Sequence, residues 1–182
     1  FLACPTRTSL TLPDSVTSIV INTFYGCTSL TSITIPDGVT SIGRSAFSVC
    51  TSLTDITIPD SVTSIGGGAF TACYRLTSIT IPDNVTSIGG GAFANCESLS
   101  GITIPDGVTS IGAFAFFCCT NLTTVNFLGD APKILKGRRT RRGGVQDNAF
   151  KESSPTIYRE PDAKGWGDTL AGRPVKLITE KP

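Results

Sequence analysis

Apolar and polar residues alternate along this chain in a pattern that repeats every 23 residues. The repeat is clearest in six phenylalanines and six cysteines. These are Phe1, Phe24, Phe47, Phe70, Phe93 and Phe116, and Cys4, Cys27, Cys50, Cys73, Cys96 and Cys119. Columns of Leu, Ile and Val lie between them and keep their chemical type from one repeat to the next. A fixed period of this length predicts a solenoid, in which each repeat forms one coil stacked on its neighbours.

The repeat from Leu30 to Ser52 shows what each coil is expected to contain. It opens with L-x-x-I-x-I, whose alternation with Ser and Thr predicts a short strand that ends at Pro36. The x-P-D-G-x segment that follows predicts a tight corner. The remaining V-x-x-I-G-x-x-A-F-x-x-C spaces its apolar residues by three or four, which predicts a single helical or 3₁₀ turn. We therefore expect six coils of the α/β repeat class, each with one short parallel strand and a helical or 3₁₀ return.

The consensus L-x-x-I-x-I-P-x-x-V-x-x-I-G-x-x-A-F-x-x-C-x-x resembles the BspA-like (Treponema-type) leucine-rich repeats, over about two thirds of the chain. This resemblance implies a leucine-rich-repeat solenoid over residues 1–127. The motifs Gly129-Asp130-Ala131-Pro132, Asn148-Ala149-Phe150 and Gly165-Trp166-Gly167 are similar to the segment that closes such solenoids, which implies a C-terminal cap over 128–182. It further implies an extracellular or cell-surface protein that adheres to a partner on matrix, on another cell or on a receptor.

Charge divides the chain into two unequal parts. Residues 1–127 contain three basic and seven acidic residues, a net charge of −4, and residues 128–182 contain twelve and seven, a net charge of +5. Such asymmetry indicates an appended segment with contacts of its own. No run of about 20 apolar residues is present, so no transmembrane segment is predicted. The chain enters a repeat at its first residue and contains no Met, so we expect it to be a piece of a longer protein.

A cluster of cations within residues 133–144 is a candidate anion-binding loop, and the alternatives are a solvated loop or a protease site. Its members are Lys133, Lys136, Arg138, Arg139, Arg141 and Arg142. We expect this insertion to loop out of the fold, because unpaired charges are costly to bury. No aromatic residue is interleaved with the cations, so sequence-specific nucleic-acid binding is not supported.

Catalytic, metal and cofactor sites find no support in the sequence. The chain contains no His, which removes the usual base of nucleophilic catalysis and the commonest metal ligand. The cysteine column obeys the apolar spacing and predicts buried thiols, with Cys118 the most reactive, although disulfides between neighbouring coils are not excluded by the spacing. The recurring Pro-Asp and the Gly runs are explained by corner geometry. We expect no enzyme, no metal and no cofactor.

Outward strand positions are the predicted binding surface, because the Ser/Thr-rich face offers many hydroxyl groups and few charges. The candidate ligand-binding residues are Ser32, Thr34, Asp55, Thr57, Ser78, Thr80 and Thr103. Such a face lacks aromatic and Arg anchors, so weak or multivalent adhesion to a protein or glycan is expected. A second hypothesis is a structural block that associates head to tail with a neighbouring subunit. A third is ice binding by the ranks of Thr, which Asp55, Gly101 and Asn126 interrupt.

Overall fold

A computed structural model describes residues 6–137 and 148–180. It contains twelve short strands and, among the described residues, one 3₁₀ helix. In chain order these are β1 (Ser9–Thr11), β2 (Ser32–Thr34), β3 (Ser41–Ile42), β4 (Ser64–Ile65), β5 (Ser87–Ile88), β6 (Gly101–Ile104), β7 (Ser110–Ile111), β8 (Thr124–Phe127), β9 (Lys133–Ile134), β10 (Thr156–Arg159), β11 (Thr169–Leu170), β12 (Arg173–Leu177) and η1 (Ile178–Glu180). Every strand pairing except that of β11 with β12 is parallel.

The predicted strand of each repeat is present in most coils and forms what we call the first sheet. It consists of a β1–β2 pair and a longer part in the order β11-β12-β10-β8-β6. The register joins residues 23 apart, as in Ser9 with Ser32 and Gly101 with Thr124, so one repeat makes one coil. In the third coil the strand is reduced to a single bridge between Thr34 and Thr57. This confirms the leucine-rich-repeat solenoid.

A second sheet lies where the sequence analysis predicted a helical return. The two-residue strands β3, β4, β5, β7 and β9 pair in that order, again between residues 23 apart. The prediction of a helical or 3₁₀ turn in this part of the repeat is therefore wrong. This parallel pairing links each coil to the next on a second side of the solenoid. Adjacent coils are therefore hydrogen-bonded in two sheets.

Backbone hydrogen bonds explain why the return is not helical. Its N–H groups donate alternately within the coil and to the next coil: Ala69 donates to Gly66 O at 3.2 Å, and Phe70 donates to Ala92 O at 2.7 Å. A helix would use successive N–H groups internally. The alternation also requires left-handed residues, as at Gly68 with φ of 66°. Apolar residues three or four positions apart in this segment therefore reflect a series of tight turns and not a helix.

The core is a stack of identical side chains running along the solenoid. The rings of Phe24, Phe47, Phe70, Phe93 and Phe116 lie parallel, with centroids 5.1–5.5 Å apart. Beside them, the thiols of Cys50, Cys73, Cys96 and Cys119 donate to the carbonyl oxygens of Phe24, Phe47, Phe70 and Phe93 at 3.1–3.3 Å. All of these side chains are buried. Each large apolar side chain contributes about 1.5–3 kcal/mol through this burial.

Glycine is needed at one corner because neighbouring coils approach closely there. A Cβ on Gly66 would lie 2.6 Å from the backbone nitrogen of Arg44, and one on Gly43 would lie 2.7 Å from the carbonyl carbon of Val20. Val20 itself occupies the equivalent position in the first described coil, where its side chain is 59% exposed. Glycine is therefore required at this corner wherever the backbone of a preceding coil leaves no room for a Cβ.

The C-terminal segment continues the stack and covers its last coil. Phe150 stacks on Phe116 with centroids 5.3 Å apart, and β10 pairs with β8. Ser153 replaces the column cysteine: its hydroxyl donates to Phe116 O at 2.5 Å and accepts from Cys119 N at 2.8 Å. Trp166 contacts the ring of Phe127 edge-on at 5.0 Å. The assignment of residues 128–182 as a C-terminal cap stays a prediction, which these contacts support.

The predicted loop at residues 133–144 is wrong at its start. Lys133 and Ile134 form β9, and Lys133 N donates to Thr109 O at 2.9 Å. Ile134 occupies the isoleucine column of the second sheet opposite Ile111, so apolar packing keeps this segment in the solenoid. Residues 138–147 lie outside the described residues, so a loop there stays a prediction. The division of the chain at residue 127 also stays a prediction, and the hydrogen bonds of the solenoid cross it.

We predict that Phe70→Ala destabilises the protein by about 3–5 kcal/mol, because it opens a cavity between two stacked rings. Tyr74→Ala is the control, since Tyr74 is 41% exposed. Urea unfolding followed by circular dichroism measures both. A loss below about 1 kcal/mol for Phe70→Ala would contradict the continuous ring stack.

Candidate functional site

The seven predicted ligand-binding residues are all exposed, on the side of the solenoid that the first sheet forms. They form two columns along the stack, which we call the hydroxyl columns. One column contains Ser32, Asp55 and Ser78, and the other contains Thr34, Thr57, Thr80 and Thr103. Their neighbours Ile33, Ile56, Ile79 and Ile102 are buried in the core. The period of two between buried and exposed positions therefore places these polar side chains on one face.

A neighbouring threonine column has a structural role. The hydroxyls of Thr31, Thr54 and Thr77 donate to the carbonyl oxygens of Thr8, Thr31 and Thr54 in the preceding coils, at 2.8–3.3 Å. Within the described residues, the side chains of the hydroxyl columns make one hydrogen bond, which Thr103 accepts from Asn126 at 3.5 Å. Their donors and acceptors are consequently available to a ligand.

A groove of about 380 Å³ crosses the hydroxyl columns at the fourth to sixth coils. Its polar lining consists of Ser78, Thr80, Asp83, Thr103, Thr124 and Asn126. Gly101 stands in the column position that Ser78 and Thr124 occupy in the adjacent coils, and a Cβ there would lie 2.8 Å from Thr124 Oγ1. The floor of the groove lies at Gly101, because no side chain fills the column there.

The first sheet is interrupted beside this groove. β6 is the edge strand of its sheet, and residues 76–81 in the preceding coil form no strand. At the start of the solenoid Leu12 N donates to Thr34 O at 3.1 Å, and the described structure has no equivalent bond between Ile81 and Thr103. An edge strand presents unpaired backbone donors and acceptors. The groove therefore combines side-chain hydroxyls with backbone polar groups.

Asp83, Gly101, Thr124 and Asn126 were missed as site residues by the sequence analysis, and four predicted residues lie outside the groove: Ser32, Thr34, Asp55 and Thr57. The signal was present, because Gly101 and Asn126 were noted as breaks in the Ser and Thr ranks. A break in a regular surface column marks the place where the surface changes shape. The depth of the groove, however, depends on how the neighbouring strands pair.

The predicted anion-binding residues are only partly described. Lys133 and Lys136 are exposed, and Lys133 belongs to the second sheet, apart from the hydroxyl columns. Arg138, Arg139, Arg141 and Arg142 lie outside the described residues. An anion-binding role for this cluster stays a prediction.

Among the described residues, no three His, Cys, Asp or Glu side chains are grouped so that they could hold a metal ion. No helix there is long and apolar enough to span a bilayer. The Asp residues that recur after Pro in each repeat lie at the coil corners, as at Asp37, Asp60 and Asp83.

Three of the buried column cysteines are held in their neutral form. Burial raises the pKa of the Cys73 and Cys96 thiols well above its ordinary value, and the neighbouring column cysteines raise it further. Burial also raises the pKa of Cys119 to about 12. Cys118 is only partly buried. The thiolate is the reactive form, so these three cysteines are poor nucleophiles.

Comparisons with known proteins agree with this architecture. A model of the BspA type leucine-rich-repeat region matches residues 1–123 with six copies. The solved leucine-rich-repeat protein of T. pallidum is 34% identical over 65% of this chain and 58% of its own, with a TM-score of 0.64. One from Bacteroides ovatus is 34% identical over 90% of this chain and 44% of its own, also with a TM-score of 0.64. The comparison with curated proteins found no match.

A third structure is described as a leucine rich cell surface protein of Faecalibacterium prausnitzii. It is 31% identical over 84% of this chain and 54% of its own, with a TM-score of 0.53. The present chain spans about half the length of the solved proteins it matches first.

The parallel coils, the 23-residue register and the stacked apolar columns define a leucine-rich-repeat solenoid. Within that class the chain belongs to the BspA type leucine-rich-repeat family. Membership indicates a role in protein interaction or at a surface.

We predict that Cys118 is the fastest-reacting thiol of the folded protein in a Cys4→Ser background. Ellman's reagent at pH 8 should modify Cys118 rapidly, and the buried column cysteines should react only after unfolding in urea. The raised pKa values of Cys73, Cys96 and Cys119 keep their thiolate fraction small at this pH. Cys118→Ser should remove the fast phase. Several thiols reacting together in the native state would contradict the buried cysteine column.

Proposed function

We propose that this chain is a non-enzymatic interaction module of a cell-surface or secreted protein, and that it adheres to a partner through the hydroxyl columns. The observation that carries the proposal is the contrast between two sets of polar side chains. Thr31, Thr54 and Thr77 bond to the solenoid, whereas the hydroxyl columns lie exposed beside them and are almost unbonded. The rigid stack holds these groups at a regular spacing, ready for a ligand.

The chemistry of the surface supports weak contacts made many times. Only Asp55 among the seven residues is charged, and the columns contain none of the Trp, Tyr or Arg residues that dominate tight interfaces. Binding sites of this kind gain strength when several copies engage one surface. A protein or glycan presented densely on matrix or on another cell is the partner we propose.

We predict that Thr57→Lys and Thr80→Lys each weaken binding at least tenfold without unfolding the chain. A bulky, charged side chain would cover the hydroxyl columns. The probes are a glycan array and a panel of immobilised extracellular matrix proteins, tested with the biotinylated chain tetramerised on streptavidin. Biolayer interferometry then measures each probe that binds the unmodified chain.

Thr86→Lys is the matched control, because Thr86 is an exposed threonine beside the second sheet. It should bind as the unmodified chain does. No binding by the unmodified chain, or equal loss in Thr86→Lys, would contradict the proposal. Thermal unfolding by circular dichroism verifies that each variant is folded.

A structural block is the second candidate function, favoured by the apolar surface at the start of the solenoid. Val20, Ile21 and Tyr25 are 59%, 58% and 51% exposed, and a hollow of about 320 Å³ lies beside Ile19 and Phe24. The opposite net charges of residues 1–127 and 128–182 also favour head-to-tail contact. Ice binding has less support, because the groove makes the face uneven.

We predict for this candidate that sedimentation velocity at micromolar concentration shows dimers or longer assemblies in low salt. High salt should reduce them, because it screens the contact between opposite charges. Val20→Glu should abolish association, and Tyr74→Glu, on the exposed side of a middle coil, should not. A monomer at both salt concentrations would remove this candidate.

A further inference from the structure

We propose that the groove over Gly101 binds one neutral pyranose residue at the end of a glycan. This inference rests on the proposed function, and it assigns to that surface a specific pocket and a ligand class. It concerns the fourth to sixth coils only, where the regular hydroxyl columns are interrupted.

The shape of the groove is the first argument. Gly101 removes one side chain from the column that contains Ser78 and Thr124, and the strand pairing of the first sheet ends at β6 in the same place. Its volume of about 380 Å³ lies at the lower end of small-molecule sites. A single sugar ring is a ligand of this scale, whereas a folded protein surface would contact a broader area.

The polar lining is the second argument. Ser78, Thr80 and Thr103, which carry hydroxyls, line the groove together with Asn126. Each hydroxyl both donates and accepts, which suits a ligand that itself presents several hydroxyls. The carboxylate of Asp83 lines the same groove and can accept from two adjacent sugar hydroxyls, because it has two acceptor oxygens.

Backbone groups extend this set of partners. The bond that Leu12 donates to Thr34 has no described counterpart between Ile81 and Thr103, so the edge of β6 offers further donors and acceptors. Pro105 and Leu128 add an apolar border, and Leu128 is 42% exposed. A pyranose ring presents hydroxyls at its rim and C–H groups on its faces, and both match this lining.

Other ligand classes fit the lining less well. No Lys or Arg lines the groove, and Asp83 would repel an anion, so phosphate, sulfate and sialic acid are disfavoured. Asp83 is the one carboxylate there, which is too few for an oxygen-coordinated cation. The lining contains no aromatic residue to anchor a peptide side chain. A neutral sugar is therefore the ligand that the groove favours.

The test uses the full chain, tetramerised on streptavidin, on an array of neutral and acidic glycans. We expect binding to neutral glycans and competition by millimolar methyl glycosides of glucose, galactose or mannose. Gly101→Val should reduce binding at least tenfold, because its side chain fills the groove. The backbone should tolerate it, because Gly101 lies in a strand and outside the left-handed region.

Two further variants sharpen the result. Asp83→Asn keeps a residue that suits a corner turn and removes the charge, so it should weaken binding several-fold. Thr86→Val is the matched control: it removes a hydroxyl from an exposed threonine outside both the groove and the hydroxyl columns, and it should bind as the unmodified chain does. Circular dichroism should show that all three variants are folded.

Outcomes that overturn the inference differ from those that overturn the proposed function. Unchanged glycan binding in Gly101→Val, or binding restricted to acidic glycans, would remove the groove as a neutral-sugar site. If Thr57→Lys abolishes binding to a matrix protein while Gly101→Val does not, the hydroxyl columns function without the groove. If the unmodified chain binds no glycan and no matrix protein, both proposals fail.

Discussion

Hydrogen bonding between adjacent coils is the constraint on which the rest of this structure depends. Each coil donates backbone N–H groups to its neighbours along both sheets and in the tight turns between them. These bonds require every coil to follow the same path, and the side chains then form columns. Phe116 and Phe150 show the strength of the constraint: 34 residues separate them, against 23 between the earlier rings, and they still stack at 5.3 Å.

Neighbouring threonine columns on the surface have different roles: one stabilises the solenoid, and the other is available for binding. Thr54 and Thr77 look identical to Thr57 and Thr80 in sequence, and all four are exposed. The first two donate to the preceding coil, and the second two remain available. The repeat therefore supplies both the support and the binding groups from one short motif. A local departure such as Gly101 can change the surface without disturbing the core beneath it.

Much of this arrangement could be predicted from the sequence because apolar columns report burial directly. The Phe and Cys columns follow from spacing alone. The second sheet could not be predicted, because the spacing around Ser41 and Ile42 fits a helical turn equally well. Lys133 was misplaced because the charge run outweighed the isoleucine column that Ile134 continues. The groove was missed because its depth depends on whether residues 76–81 pair with β6.

The left-handed residues at the coil corners have a consequence for folding. Val49, Ala72, Asn95, Cys118 and Glu152 have φ between 54° and 63°. Such residues cost roughly 1 kcal/mol or more each, and two of them are aliphatic side chains that disfavour this region. A single coil has nothing to repay this cost, because the compensating bonds come from its neighbours. Order must therefore nucleate in several coils at once and then propagate along the array as a cooperative, one-dimensional process.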